Sequence, residues 1–296
     1  MATGITSITP YSEKPYLTNA EYINAPTAID YDNLVVGGNA NAQAAELTNV
    51  ILRASSMMDN YMSQNLNATS QTETQRVRFT PEGFIALHPN QNPVISLSSF
   101  QYGTDINNLN TLTDCSTVWF EDQQIIIPVS QLSTTYSSQG PLQFGGPMSG
   151  RNQVFTKYTY VSGFVNSTVL SATAGASTFT VNDGTGIIAG QLLRISDGAS
   201  SESVTVASTY TYGSTTVPTV SALSYSHSNG VAVGNLPNML KEACILITTA
   251  LIKMRGDSSM TMSVTTTASG NIDGANRYGN DIALALQMVN LYRRVR

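Results

Sequence analysis

Apolar residues recur at three- and four-residue steps near both ends of the chain, and at two-residue steps through much of what lies between. Between residues 41 and 64 the first pattern runs through Leu47, Val50, Ile51, Ala54, Met57, Met58 and Tyr61, which predicts a helix with one buried face. It returns after Pro237 in Leu240, Ala243, Cys244, Ile247, Leu251 and Met254, and again in Ile282, Ala285, Leu286, Val289 and Tyr292. Ahead of these, TNAE at Thr18 to Glu21 fits a capping box, and Pro26 limits that helix to about two turns. The predicted helical core is therefore Leu47, Val50, Ile51, Ala54, Tyr61, Leu240, Ala243, Ile247, Leu251, Leu286 and Val289.

Alternation with period two marks the strands. QRVRFTPEGFIALHPNQNPVISLSSFQYG, residues 75–103, holds apolar runs separated by PEG and HPNQNP turn signals. Further strands are expected over 116–120, 125–129 and 154–164, with Val154, Thr156, Tyr158 and Tyr160 of the last on one face. Residues 131–151 are rich in Ser, Gly and Pro and read as a long loop. From 166 to 234 the pairs Phe179/Val181, Leu193/Ile195, Val204/Val206 and Val231/Val233 alternate between NDG, SDG and SNG turns, as in a small all-β barrel or sandwich. Residues 256–280 have no apolar period and are too long for an ordinary connection in a compact domain. The chain thus reads as α+β in four segments: 1–74, N-terminal arm and helices; 75–165, β-rich; 166–234, an inserted all-β module; 235–296, C-terminal helices with the 256–280 loop and a basic tail.

Composition narrows the function classes. Only 11% of residues are charged and the net charge is −5, while Tyr outnumbers Phe by 14 to 8. Few charges among many small polar side chains suit a surface made for packing against protein. Nothing approaches the ~18 apolar residues of a membrane span, and MATGITSITPYSEK lacks a basic start followed by an apolar run, so a protein made and kept in cytosol is expected. Cys115 and Cys244 match no metal or redox spacing. His88 and His227 stand beside turn residues, with no carboxylate or cysteine at ligand spacing, and a surface or turn role is expected of each. Asp183 and Asp197 sit in D-G turns, where backbone bonding explains them better than calcium does. No nucleophile, phosphate-loop or zinc motif is present, and neither an enzyme, a cofactor nor a metal is expected. Arg293, Arg294 and Arg296 form a basic end that complements a helix dipole, pairs with a partner's acids or contacts nucleic acid.

Four segments in this order resemble the head-to-tail connector, or adaptor, proteins of long-tailed double-stranded DNA bacteriophages: YLTNAEYINAP followed by AELTNVILRASSMMDNYM; NPVISLSSFQYG; KYTYVSGF; and LPNMLKEACILITTALIKMRG. The inserted stretch resembles a β module of some phage structural proteins, through its TFTV, AGQLLRI and ESVTV segments. The resemblance implies a small helical bundle built from the N- and C-terminal parts around a β-rich excursion. It further implies a non-enzymatic ring of about twelve subunits, each face fitting a different face of its neighbour. Such a ring sits in the virion neck after assembly in the host cytoplasm. Its partners are the portal protein, the next neck or tail protein and, for the module, the capsid; DNA passes through without specific binding and no membrane is involved. On this reading Arg293, Arg294 and Arg296 contact the portal, and 256–280 orders on assembly. A carbohydrate- or surface-binding phage protein using Tyr210, Tyr212 and Tyr225, and a tail terminator or minor capsid protein, are the alternatives.

Overall fold

The structure, a computed structural model, describes residues 14–27, 29, 31, 34–78, 80, 84–115, 117–121, 123–128, 153–256 and 273–294. It mixes helix and sheet and divides into two compact units: Ala68–Gly163, and Met1–Asn67 together with Phe164–Arg296. The expected loops over 131–151 and most of 256–280 lie outside the described residues.

The smaller unit contains strands β1 (Thr69–Arg78), β2 (Phe84–Leu87), β3 (Val94–Asp105), β4 (Asn108–Thr111), β5 (Trp119–Glu121), β6 (Gln124–Pro128) and β7 (Gln153–Ser162). One antiparallel sheet has the order β1-β7-β3-β4 and a second β2-β6-β5. Their inward faces share a core that includes Ile85, Leu87, Phe100, Tyr102, Ile125, Ile127, Val154, Tyr158 and Tyr160. Val154, Thr156, Tyr158 and Tyr160 are all buried, as their alternation predicts. Strand β1 starts at Thr69, inside the stretch assigned from sequence to the N-terminal helices. TSQTETQ alternates with polar side chains only, so no apolar signal announces the strand before Val77. Glu73 is the polar anchor of this sheet: it accepts from Tyr158 Oη at 3.0 Å, from Tyr160 Oη, and from the Asn90 amide at 2.9 Å.

The larger unit has two cores. The first belongs to helices α1 (Asn19–Ile23), α2 (Ala40–Met62), α3 (Asn238–Gly256) and α4 (Asp273–Met288). Thr18 and Glu21 close the expected capping box, and the flanking Leu17 and Tyr22 are both buried, the positions of a hydrophobic staple. Glu21 also takes the ammonium of Lys241 at 2.5 Å, fastening α1 to α3. Leu47, Val50, Ile51, Ala54, Leu240, Ala243, Ile247 and Val289 are fully buried in one cluster, while Tyr61, Leu251 and Leu286 are partly buried against it. Met254, which shares the α3 stripe, is 48% exposed. Helix α4 begins at Asp273, so it takes up the last eight residues of the expected 256–280 loop. Gly274 and Gly279 are poor helix formers and hide that start from a reading by propensity.

The second core lies between strands β8 (Asn166–Ser171), β9 (Thr178–Val181), β10 (Leu192–Ser196), β11 (Glu202–Thr205), β12 (Thr216–Pro218) and β13 (Ala232–Gly234). They form one sheet in the order β11-β10-β13-β8-β9-β12. It curls until its edge strands meet: Val206 bridges Thr219, and the Val220 amide donates to Thr205 O at 2.9 Å. Phe179, Val181, Leu193, Ile195, Val204, Val206, Val217 and Val233 fill the inside. The chain enters and leaves this module at neighbouring points, since Gly234 pairs with Asn166. At this neck Val165 N donates to Asn235 Oδ1 at 2.7 Å and Asn235 N to Val165 O at 3.0 Å. The approach is so close that a Cβ on Gly234 would stand 2.1 Å from Val165 O. Asn166 adds bonds to Pro15 O at 2.8 Å and Asn67 Oδ1 at 2.7 Å, and Lys14 pairs with Asp183, tying the N-terminal arm to the module.

Candidate functional site

The basic end predicted as a contact surface is held against the C-terminal end of α2. Ser63 terminates that helix in the left-handed region, φ 57°; the Ser63 and Gln64 amides close onto Asn60 O and Asp59 O, and Met62 O takes its bond from elsewhere. After α4 a 3₁₀ turn, Val289–Tyr292, brings the chain back to this helix end. Arg294 N donates to Met62 O at 2.9 Å, Gln64 Nε2 to Tyr292 O at 2.6 Å, and Tyr61 Oη to Asn290 Oδ1 at 3.2 Å. The Tyr292 ring meets Phe164 edge-on at 6.1 Å. The Arg293 guanidinium lies over the Tyr61 ring, 5.3 Å from its centroid. A cation there is doubly favoured, by the ring face and by the negative end of the helix dipole.

The outcome is a fixed platform rather than a loose tail. It presents the exposed Arg293 beside Leu291, which is 82% exposed, with Arg294 half-buried behind them. Arg296 lies outside the described residues. Tyr61, read from sequence as a core position, thus has a second role: it sits at the margin of the α2 stripe and supports Arg293. Nothing in the spacing of Tyr61 and Arg293 announced their meeting, because it depends on α4 returning the chain to α2.

The other candidates are engaged structurally. Asp183 accepts from Thr185 N at 2.9 Å and pairs with Lys14. Burial alone would raise its carboxyl, but the bonds from Lys14 and Thr185 outweigh that and hold it below the usual range. Asp197 bonds the ring of His227, which is buried and not the surface turn residue expected from sequence. His88 is exposed, with its backbone held by Gln75. Burial pushes the Cys244 thiol up to about 12, which removes the thiolate that chemistry would need. Among the described residues no group of three or more His, Cys, Asp or Glu side chains is placed to hold a metal ion. Among them, too, no helix is long and apolar enough to cross a membrane.

Two arrangements of residues escaped the sequence reading. The N-terminal arm supplies Tyr16, Leu17 and Tyr22 to the helical core, and Tyr16 Oη bonds the buried carboxylate of Asp59 while accepting from Leu66 N at 3.0 Å. The Tyr-Leu pair immediately before the capping box was the available signal. Asp197, Glu202 and His227 form the second set, each lying in a segment that reads as an ordinary turn or strand start. No family model, curated protein or solved structure matches the chain.

Proposed function

We propose that the chain is a non-enzymatic virion protein, one subunit of a head-to-tail connector ring in a long-tailed double-stranded DNA phage. The observation that carries this reading is the single helical core closed by both ends of the chain, with α1 and α2 from one side and α3 and α4 from the other. One β-rich excursion is what the resemblance implies; the inserted module is a second, and by separating the KYTYVSGF strand from the helix after Pro237 it departs from the shortest members of that family. In the connector the helices are the small bundle of the ring body, and the curled sheet is a barrel carried on its outside, where an insertion avoids both core and channel.

The platform of Arg293, Arg294 and Leu291 is the surface that meets the portal. It is rigid, partly apolar and basic, the combination that suits a docking patch better than free arginines do, because little side-chain entropy is lost on contact. About twelve subunits related by rotation close the ring through heterologous contacts. With five net negative charges per subunit, the channel lets DNA slide rather than holding its phosphates.

Mixing the full chain with the cognate portal tests this by electron microscopy. A ring of about twelve copies stacked on the portal is expected, with immunogold label confined to the neck of intact particles. R293A/R294A should abolish stacking and leave the fold intact by circular dichroism. Label at the tail tip or over the shell, or undiminished stacking by the double variant, would reject the assignment. Of the three tyrosines expected to serve the second reading, recognition of a carbohydrate or other surface, Tyr210 is buried in the module core, while the half-exposed Tyr212 and Tyr225 favour that reading. Binding of the full chain to a host-surface glycan array, lost on Y212A/Y225A, would support it.

A further inference from the structure

A strap, residues 219–231, joins β12 to β13 across the outside of two turns of the module. It is fastened to the first turn by backbone bonds: Leu223 N to Ala176 O at 2.8 Å, Gly175 N to Leu223 O at 2.8 Å, and His227 N to Ala172 O at 3.0 Å. Leu223 goes into the module core. The fastening to the second turn is made by side chains. The His227 ring is fully buried, with Nδ1 3.0 Å from Asp197 Oδ2 and Nε2 2.8 Å from Glu202 Oε1. Glu202 meanwhile accepts from Ser224 N at 2.8 Å and from Tyr225 N at 3.2 Å.

Both ring nitrogens therefore face carboxylates. A neutral imidazole has one N–H, and its second nitrogen would set a lone pair against an acceptor oxygen; the imidazolium has two donors and satisfies both. Burial would push the Glu202 carboxyl up, yet the bonds from the Ser224 amide, the His227 ring and the Tyr225 amide hold it below the usual range. Asp197, beside β10, and Glu202, on β11, are the charged side chains within ion-pair distance of that ring among the described residues.

We propose that His227 is a clasp that ties the strap to the β10–β11 turn through Asp197 and Glu202. The strap is released when Glu202 takes a proton and its bonds to the His227 ring and to the Ser224 and Tyr225 amides are lost. Its protection against opening is present while that carboxylate is ionised and falls away in acid. The clasp makes the edge of the module, including the half-exposed Tyr225, responsive to pH without changing its core.

The test is amide hydrogen exchange on the full chain. Lowering the pH through the Glu202 transition should speed exchange of the Leu223, Ser224, Tyr225 and His227 amides about tenfold or more, after correction for intrinsic rates, relative to β13. E202Q keeps the shape and removes the charge, so at neutral pH its strap should already exchange faster, and the acid dependence should disappear. Strap exchange that ignores acid overturns the proposal. So does a strap in E202Q that is as protected at neutral pH as in the unaltered chain.

Discussion

The helical core gathers side chains from Tyr16 to Val289, nearly the whole length of the chain, whereas the module core is drawn from Val165 to Val233 alone. Forming the first requires the ends to meet across every intervening segment, a loop-closure cost that the second does not carry. Within the module β8 with β9 and β10 with β11 pair across short connections, while β13 with β8 and β10, and β12 with β9, pair over longer spans that all stay inside residues 166–234, which favours formation independent of the helical core. The two cores thus belong to one compact unit but need not stand or fall together, and the narrow neck at Val165 and Asn235 is what couples them.

The strongest way to break that contrast is to cut. Ending the chain after Gly256 removes Ala285 and Val289 from the helical core, and should abolish its hydrogen-exchange protection while leaving that of β8–β13. Deleting Ser167–Gly234 with a short linker should do the reverse, keeping helical circular dichroism. An insoluble product from the deletion would mean that the module is part of the helical core. Single cavities should sharpen the same point: Phe179→Ala costs about 3–5 kcal/mol and Ile247→Ala about 2–5 kcal/mol. Each loss should show in exchange protection of its own core, and equal loss in both would merge them into one cooperative unit.

Gly234→Ala addresses the coupling itself. With Val165 O at 2.1 Å from the new Cβ, the neck strands must part, at about 1–3 kcal/mol, and the Asn235 amide should exchange faster. A crystal structure of the variant with the Val165–Asn235 bonds unmoved would show the neck to be slack.

Acid should separate the two cores by a smaller margin. Asp183 and Glu202 both have depressed carboxyls in the folded chain, so each adds stability above its unfolded value that is lost as pH falls through the folded one. Both belong to the module, and its melting temperature should drop in acid before α2 and α3 lose protection; D183N should weaken that dependence. The smallest effect is expected from Lys241→Met, which removes a largely shielded partner of Glu21 on the helical side and should cost about 1 kcal/mol. A double-mutant cycle with Glu21→Gln measures it.

What could be read from the sequence follows the same division. Stripes such as Leu47, Val50, Ile51 and Ala54 fixed the inward face of α2 because period 3.6 needs no knowledge of the partner, and the period-two pairs did as much for β9–β11. Polar strands were illegible for the same reason: TSQTETQ pairs residue by residue with β7, yet its stability comes from the ladder and from Glu73, not from an apolar face. The beginning of α4 was concealed by two glycines. At the candidate platform the arginines were visible as a cluster, but their support by Tyr61, Met62 and Gln64 arises from a long-range return of the chain. His227 looked like a turn residue because its two carboxylates are 25 and 30 positions away.

The pairing of Gly234 with Asn166 has a further consequence. Two chain ends held side by side form a socket whose geometry is indifferent to what is plugged into it. A gene segment encoding another domain with adjacent termini could be exchanged at this junction in a single recombination event, leaving the register of the surrounding helices untouched. The same socket is the natural place to graft a fluorescent reporter or an affinity handle onto the folded chain.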